Sequence, residues 1–208
     1  MAVYIAAMAA WCTWCQWGQS LLPPGTGSAL LDALVIKNLI WLVPLLPVFL
    51  RAGEDGWLVP PSRMLRTPFP WLPCLALCCL SLAALHTIRL LNGRADVKVL
   101  FDPVFVVLSL CAGITEETFF RGYLFNRQAA VLGVPFAAAL NGVLFTLYHY
   151  PLLVFGQGWN SLLSPRSALL LVMGILFSLV FAHWRQLALP ITVHTVWNIA
   201  SYWFGLSG

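Results

Sequence analysis

Charge is what this chain has least of. It carries seven acidic and eleven basic residues in 208, against 61% hydrophobic residues and a mean hydropathy of +0.86. A soluble domain of this length disperses behind a charged surface. The scarcity therefore excludes an ordinary water-soluble globule and points to an all-α, polytopic transmembrane bundle. No segment is both long and polar, so a single membrane domain over residues 1–208 is expected. The net charge of +4 comes from basic residues scattered through the connections. There is no polybasic tract, which argues against a nucleic-acid partner; the expected partner is the lipid bilayer.

Other absences narrow the reading. The opening MAVYIAAMAAWCTWCQW has no positive n-region, and its AxA-like stretch lies inside the apolar part, so it reads as a first membrane helix rather than a cleaved signal. The six cysteines, Cys12, Cys15, Cys74, Cys78, Cys79 and Cys111, all lie in apolar runs. Cys12 and Cys15 form one C-x-x-C with no second copy to complete a zinc site, so they read as packing residues one helical turn apart. No internal repeat and no H-E-x-x-H is present.

What is present is a series of apolar runs. A spanning helix needs about 20 mostly apolar residues. Seven candidates occur, roughly 2–17, 29–50, 69–91, 101–125, 132–150, 167–184 and 187–204, giving about seven helices with a range of six to eight. The connections PPGTGS, RAGEDGW, PPSRMLRTPFP, NGRADVK and FGQGWNSLLSPR are rich in turn formers, and the last is expected to be free of helix. Many of the ten tryptophans lie near run ends, as in an interfacial aromatic belt.

Against this background the stretch EETFFR, residues 116–121, stands out. A charge near the centre of a membrane helix costs roughly 2.5–3.5 kcal/mol on insertion scales. Glu116, Glu117 and Arg121 must therefore face the bundle interior or a water-filled cavity and find partners there. Glu117 and Arg121 are four apart on one helix face and are expected to pair. Glu116 points about 100° away from Glu117. It is left without a local counter-charge, so it is either neutral or paired with a group on another helix.

Two later helices offer such groups. FTLYH places Phe145 and His149 one turn apart, and HTVWN places His194 and Asn198 on one face. His86 and His183 sit near helix ends beside Arg89 and Arg185 and read as packing residues. Asp32 and Lys37 are five apart and are poor partners for one another; Asp32 is expected at the interface and Lys37 in a tertiary ion pair. Asn141 either orients His149 or serves as interhelical glue.

Peptide hydrolysis needs a base for water, donors for the oxyanion and a proton for the leaving amine. Glu116 and His149 have the chemistry to hold and deprotonate a water. His194 and Asn198 have the chemistry to serve the oxyanion, and Glu117 with Arg121 to brace the helix. No serine, threonine or cysteine nucleophile is required.

The pattern E-E-x-x-x-R, F-x-x-x-H, H-x-x-x-N, in this order over roughly residues 100–204, resembles the CAAX-protease and bacteriocin-processing family (CPBP, also Abi) of intramembrane glutamic endopeptidases. That family includes the Rce1-type CAAX prenyl endopeptidases. The resemblance implies Glu116 and His149 as water-activating residues, His194 and Asn198 as the oxyanion hole, and Glu117 and Arg121 as supporting residues. It implies a membrane bundle whose site opens to one aqueous side, and no cofactor. The substrate implied is a membrane-associated protein or peptide, either a prenylated CAAX protein or a C-terminal sorting signal. The shortness of the chain suits a compact prokaryotic member in the cell membrane. Two other classes compete. One is a zinc-dependent protease with Glu116, His149 and His194 as ligands. The other is non-catalytic, a proton-coupled transporter or an immunity or scaffold protein; the missing inverted repeat argues against transport.

Overall fold

The computed structural model describes residues 1–51, 53, 55–93, 101–159 and 163–206. Among them the chain is all-helical, in seven helices. Helix α1 covers residues 2–21 and is α-helical over Ala2–Thr13 before its last turns change pitch. The others are α2 (Thr26–Leu50), α3 (Trp71–Leu91), α4 (Pro103–Leu132), α5 (Val134–Gln157), α6 (Pro165–Trp184) and α7 (Ala188–Trp203). Helices α2 to α6 are long and apolar enough to cross a membrane, and the chain is an integral membrane protein. Helix α7 has 16 residues. At 1.5 Å per residue it is about 24 Å long, short of a hydrocarbon core about 30 Å thick.

Local chemistry sets several boundaries. Asp102 caps α4, accepting from the amides of Val104 and Phe105 at 2.9 and 3.3 Å, with Pro103 in the first turn. The apolar run that predicts helix α4 ends near residue 125. The helix runs on to Leu132 because Asn126 is buried and employed: its side chain accepts from the Val59 amide at 2.8 Å and donates to the Val59 carbonyl at 2.7 Å. That pair clamps the segment before α3 to α4. The break between α4 and α5 is Gly133, at φ +79°, a conformation open to glycine. Helix α5 was expected to stop at residue 150 but continues through Pro151 to Gln157. The helix-free stretch expected there therefore begins later, and residues 160–162 lie outside the described set, as do most of NGRADVK and parts of RAGEDGW.

Helix α4 is the centre of the bundle, packed against α2, α5, α6 and α7. Between Thr115 and Asn126 none of its residues is exposed. A helix buried on all sides can carry charges that a lipid-facing helix cannot. Its turns are π-helical over Thr118–Phe125, just after the two glutamates, and π turns are frequent at functional sites.

Two features fix the helices around it. Tyr4, Trp11, Trp41, Phe119, Phe120, Phe145 and Tyr148 form one aromatic core joining α1, α2, α4 and α5. The Trp41 ring lies 4.7 Å from Phe119 and 4.9 Å from Tyr148, both edge-on. Such pairs add about 0.5–1.5 kcal/mol each beyond burial. Elsewhere small residues allow close approach. A Cβ on Gly174 of α6 would lie 2.7 Å from the Gly142 Cα of α5, and one on Gly113 of α4 would lie 2.7 Å from Thr195 Oγ1 of α7. The second contact seats α7 on α4 one turn before Glu117, which brings His194 within bonding distance.

The cysteines follow the packing expectation: Cys12 and Cys15 are free thiols, and Cys15 belongs to the aromatic core.

Candidate active site

The site grows out of the Glu117–Arg121 pair. Both side chains are fully buried. Arg121 donates to Glu117 Oε1 at 2.9 Å, the expected four-residue pairing, and its other terminal nitrogen donates to the Gly174 carbonyl of α6 at 3.0 Å. The guanidinium lies 4.5 Å from the Phe145 ring centroid and 5.4 Å from that of Phe177. Packing against aromatic faces compensates a cation that has left water. Asn141 donates to the Phe120 carbonyl at 3.0 Å and accepts from Ser178 at 3.1 Å. Of its two expected roles the structure supports glue: it ties α4, α5 and α6 and makes no bond to His149.

Glu117 Oε1 also holds His194, whose Nδ1 lies 2.7 Å away. A carboxylate only accepts, so Nδ1 carries the proton, and in the neutral ring Nε2 carries the lone pair. His149 has the same tautomer for a different reason. Its Nδ1 lies 2.9 Å from the Phe145 carbonyl, which also only accepts. Both Nε2 atoms lie 3.8 Å from Glu116 Oε2. That is too long for a direct hydrogen bond, and Oε2 is buried with no hydrogen-bond partner among the described residues. Three lone-pair centres thus converge on one region, at a separation a single hydrogen-bonded oxygen spans. Only a group with hydrogens to give satisfies all three.

The other oxygen of Glu116 is occupied. Lys37 Nζ of α2 lies 2.7 Å from Oε1, and the Tyr148 hydroxyl donates to the same atom at 3.2 Å. This answers the choice left open by the sequence: Glu116 is paired with a group on another helix. With both imidazoles neutral, two carboxylates are balanced by two cations, so the cluster carries no net charge in a low-dielectric interior. The tertiary ion pair expected for Lys37 exists, and its partner is Glu116. Asp32, expected at the interface, is half-buried and accepts from the Trp14 indole.

Of the residues singled out in the sequence, Glu116, Glu117, Arg121, His149 and His194 come together. Asn198 does not join them by any bond. It lies one turn beyond His194 on α7, half-buried, with its amide making no hydrogen bond to a described residue. His86 and His183 are exposed at helix ends, away from the cluster. Two members of the cluster, Lys37 and Tyr148, are not among the site residues expected from the sequence. Lys37 is expected from the sequence in a tertiary ion pair but not in the site, although an intramembrane lysine is functional by default. Tyr148 carried no signal, being one of five tyrosines beside a histidine already chosen.

Glu116 Oε2 with the two Nε2 atoms is also the donor set of a His2Glu zinc shell. Zinc ligands sit about 2.0–2.2 Å from the metal, so tetrahedral neighbours lie about 3.4 Å apart. The 3.8 Å separations are wider than that. Among the described residues no group of three His, Cys, Asp or Glu side chains is arranged to hold a metal ion.

Comparison with known proteins agrees with this half of the chain. Residues 99–200 match a family model described as type II CAAX prenyl endopeptidase Rce1-like. Neither a curated protein nor a solved structure gives a significant match.

Proposed function

We propose, for a chain whose residues 99–200 belong to the Rce1-like family of type II CAAX prenyl endopeptidases and which is therefore a membrane protease, that hydrolysis is of the glutamic type, with Glu116 and His149 activating a water. The observation that carries the reading is that the His149 and His194 Nε2 atoms each lie 3.8 Å from Glu116 Oε2, inside the bundle.

The steps follow from the atoms available. Water held between Glu116 Oε2 and His149 Nε2 loses a proton to them as its oxygen attacks the scissile carbonyl. The tetrahedral oxyanion is served by α7. Asn198 offers an amide that donates to no described residue. His194, whose neutral ring spends its one proton on Glu117, donates from Nε2 once it has received the proton taken from the water. Glu117, braced by Arg121, is placed to stabilise the resulting imidazolium, as the buried carboxylate does in a Ser-His-Asp triad. The proton taken from water then leaves with the amine, so the site ends as it began. The substrate is a peptide of a membrane-associated protein. The family description makes a prenylated CAAX C-terminus the first to test, and a C-terminal sorting signal the second.

The deciding experiment combines peptide cleavage, read by mass spectrometry of terminal fragments, with elemental analysis after prolonged chelation. Full activity in protein holding far less than one metal per chain is expected. Activity lost with the metal and restored by stoichiometric zinc would assign the zinc mechanism instead.

A second expectation concerns Asn198. Its replacement by alanine should reduce turnover by roughly 10²–10³-fold, the cost of one oxyanion donor, with little change in KM. A raised KM at unchanged kcat would move Asn198 to substrate binding.

A further inference from the structure

Helix α2 lies outside the segment matched to the family, yet it supplies the shortest contact Glu116 makes. Two adjacent residues dock it. Lys37 Nζ lies 2.7 Å from Glu116 Oε1, and Asn38 Oδ1 accepts from Thr115 Oγ1 at 2.6 Å. The dipeptide Lys37-Asn38 therefore meets Thr115-Glu116 residue for residue. Asn38 is anchored in turn, donating to the Leu34 carbonyl at 2.8 Å. The ammonium lies 5.5 Å from the Tyr148 ring centroid and 6.0 Å from that of Trp11, and those two rings stack at 5.7 Å. A lysine so placed is held on three sides: by a carboxylate, by two aromatic faces and by the seat of its own helix.

We infer that Lys37 is a positioning residue for Glu116. Lys37 and Tyr148 together occupy Oε1. The carboxylate is then held with Oε2 toward His149 and His194, and it is Oε2 that meets the water. The cation also balances Glu116 as Arg121 balances Glu117, so the base stands charged in a buried site without leaving a net charge there. In this view the site has a fourth helix, and α2 is part of the catalytic apparatus rather than a lipid-facing wall. The inference rests on Glu116 acting as the base.

The test uses the full chain in detergent or nanodiscs with the same cleavage assay. Lys37→Met should lower kcat at least ~10-fold, as loss of a preorganised charge does, with KM changed by no more than about twofold. Lys37→Arg keeps the cation and should recover most of the turnover. In Lys37→Ala, added ethylammonium should restore turnover saturably, where sodium at equal ionic strength does not. These two measurements decide the matter if Lys37→Met proves unstable. Wild-type kcat in Lys37→Met, or a loss that neither arginine nor ethylammonium relieves, overturns the inference. Glu116→Gln in the same assay separates the two levels. If it stays active, the glutamic reading has failed; if it is inactive while Lys37→Met is fully active, only the role of Lys37 has.

Discussion

Replacing Glu116 by glutamine is expected to lower cleavage by at least ~10²-fold, the smaller end of what a positioned general base contributes. The substitution is close to isosteric. The amide oxygen can still accept from Lys37 and Tyr148 in the place of Oε1. The amide nitrogen then stands where Oε2 stood, facing the Nε2 lone pairs of His149 and His194. That exchanges an acceptor for a donor, and an amide has no lone pair on nitrogen with which to take a proton from water. Packing changes little, but the Lys37 ammonium loses its counter-charge, so the melting temperature should fall while the protein stays folded. The check is cleavage by the purified variant beside its melting curve. Near-full activity in a folded Glu116→Gln protein would show that another group takes the proton.

Arg121→Ala is expected to act on the fold before the chemistry. The side chain is fully buried and joins three helices: it bonds Glu117 on its own helix and Gly174 on α6, and lies against Phe145 of α5. Alanine removes all three contacts and leaves Glu117 as a buried carboxylate with only His194 beside it. Breaking a buried ion pair from one side typically costs about 3–5 kcal/mol, a large part of a domain's stability. Yield and melting temperature should both fall clearly, and activity with them. Arg121→Lys should not rescue fully, because a point charge cannot bond Glu117 and the Gly174 carbonyl at once while lying flat on an aromatic ring. An Arg121→Ala protein that expresses and melts normally but does not cleave would place Arg121 in the chemistry itself.

The sequence by itself determined whatever is local to one helix. Hydrophobic runs specified a helical membrane bundle, because the cost of unpaired backbone in lipid leaves helices as the means for such runs to cross. The same cost required Glu116, Glu117 and Arg121 to face inward. Helical periodicity paired Glu117 with Arg121 and turned Glu116 away from both, and the structure keeps that arrangement through a π-helical stretch. The tertiary structure alone decided what depends on neighbours. It chose Lys37, 79 residues from Glu116 along the chain, as the counter-ion, a choice set by how α2 seats on α4. It set both imidazole tautomers, since these follow from which acceptor each Nδ1 meets. It carried α4 through Asn126, because a polar side chain just beyond the apolar run finds the Val59 backbone in space. It left Asn198 one turn from His194 with its amide bonded to none of the described residues, because a shared helix face fixes direction but not reach. Periodicity is a property of a segment, whereas a partner is a property of packing, and glycine contacts such as Gly113 against Thr195 fix which segments meet.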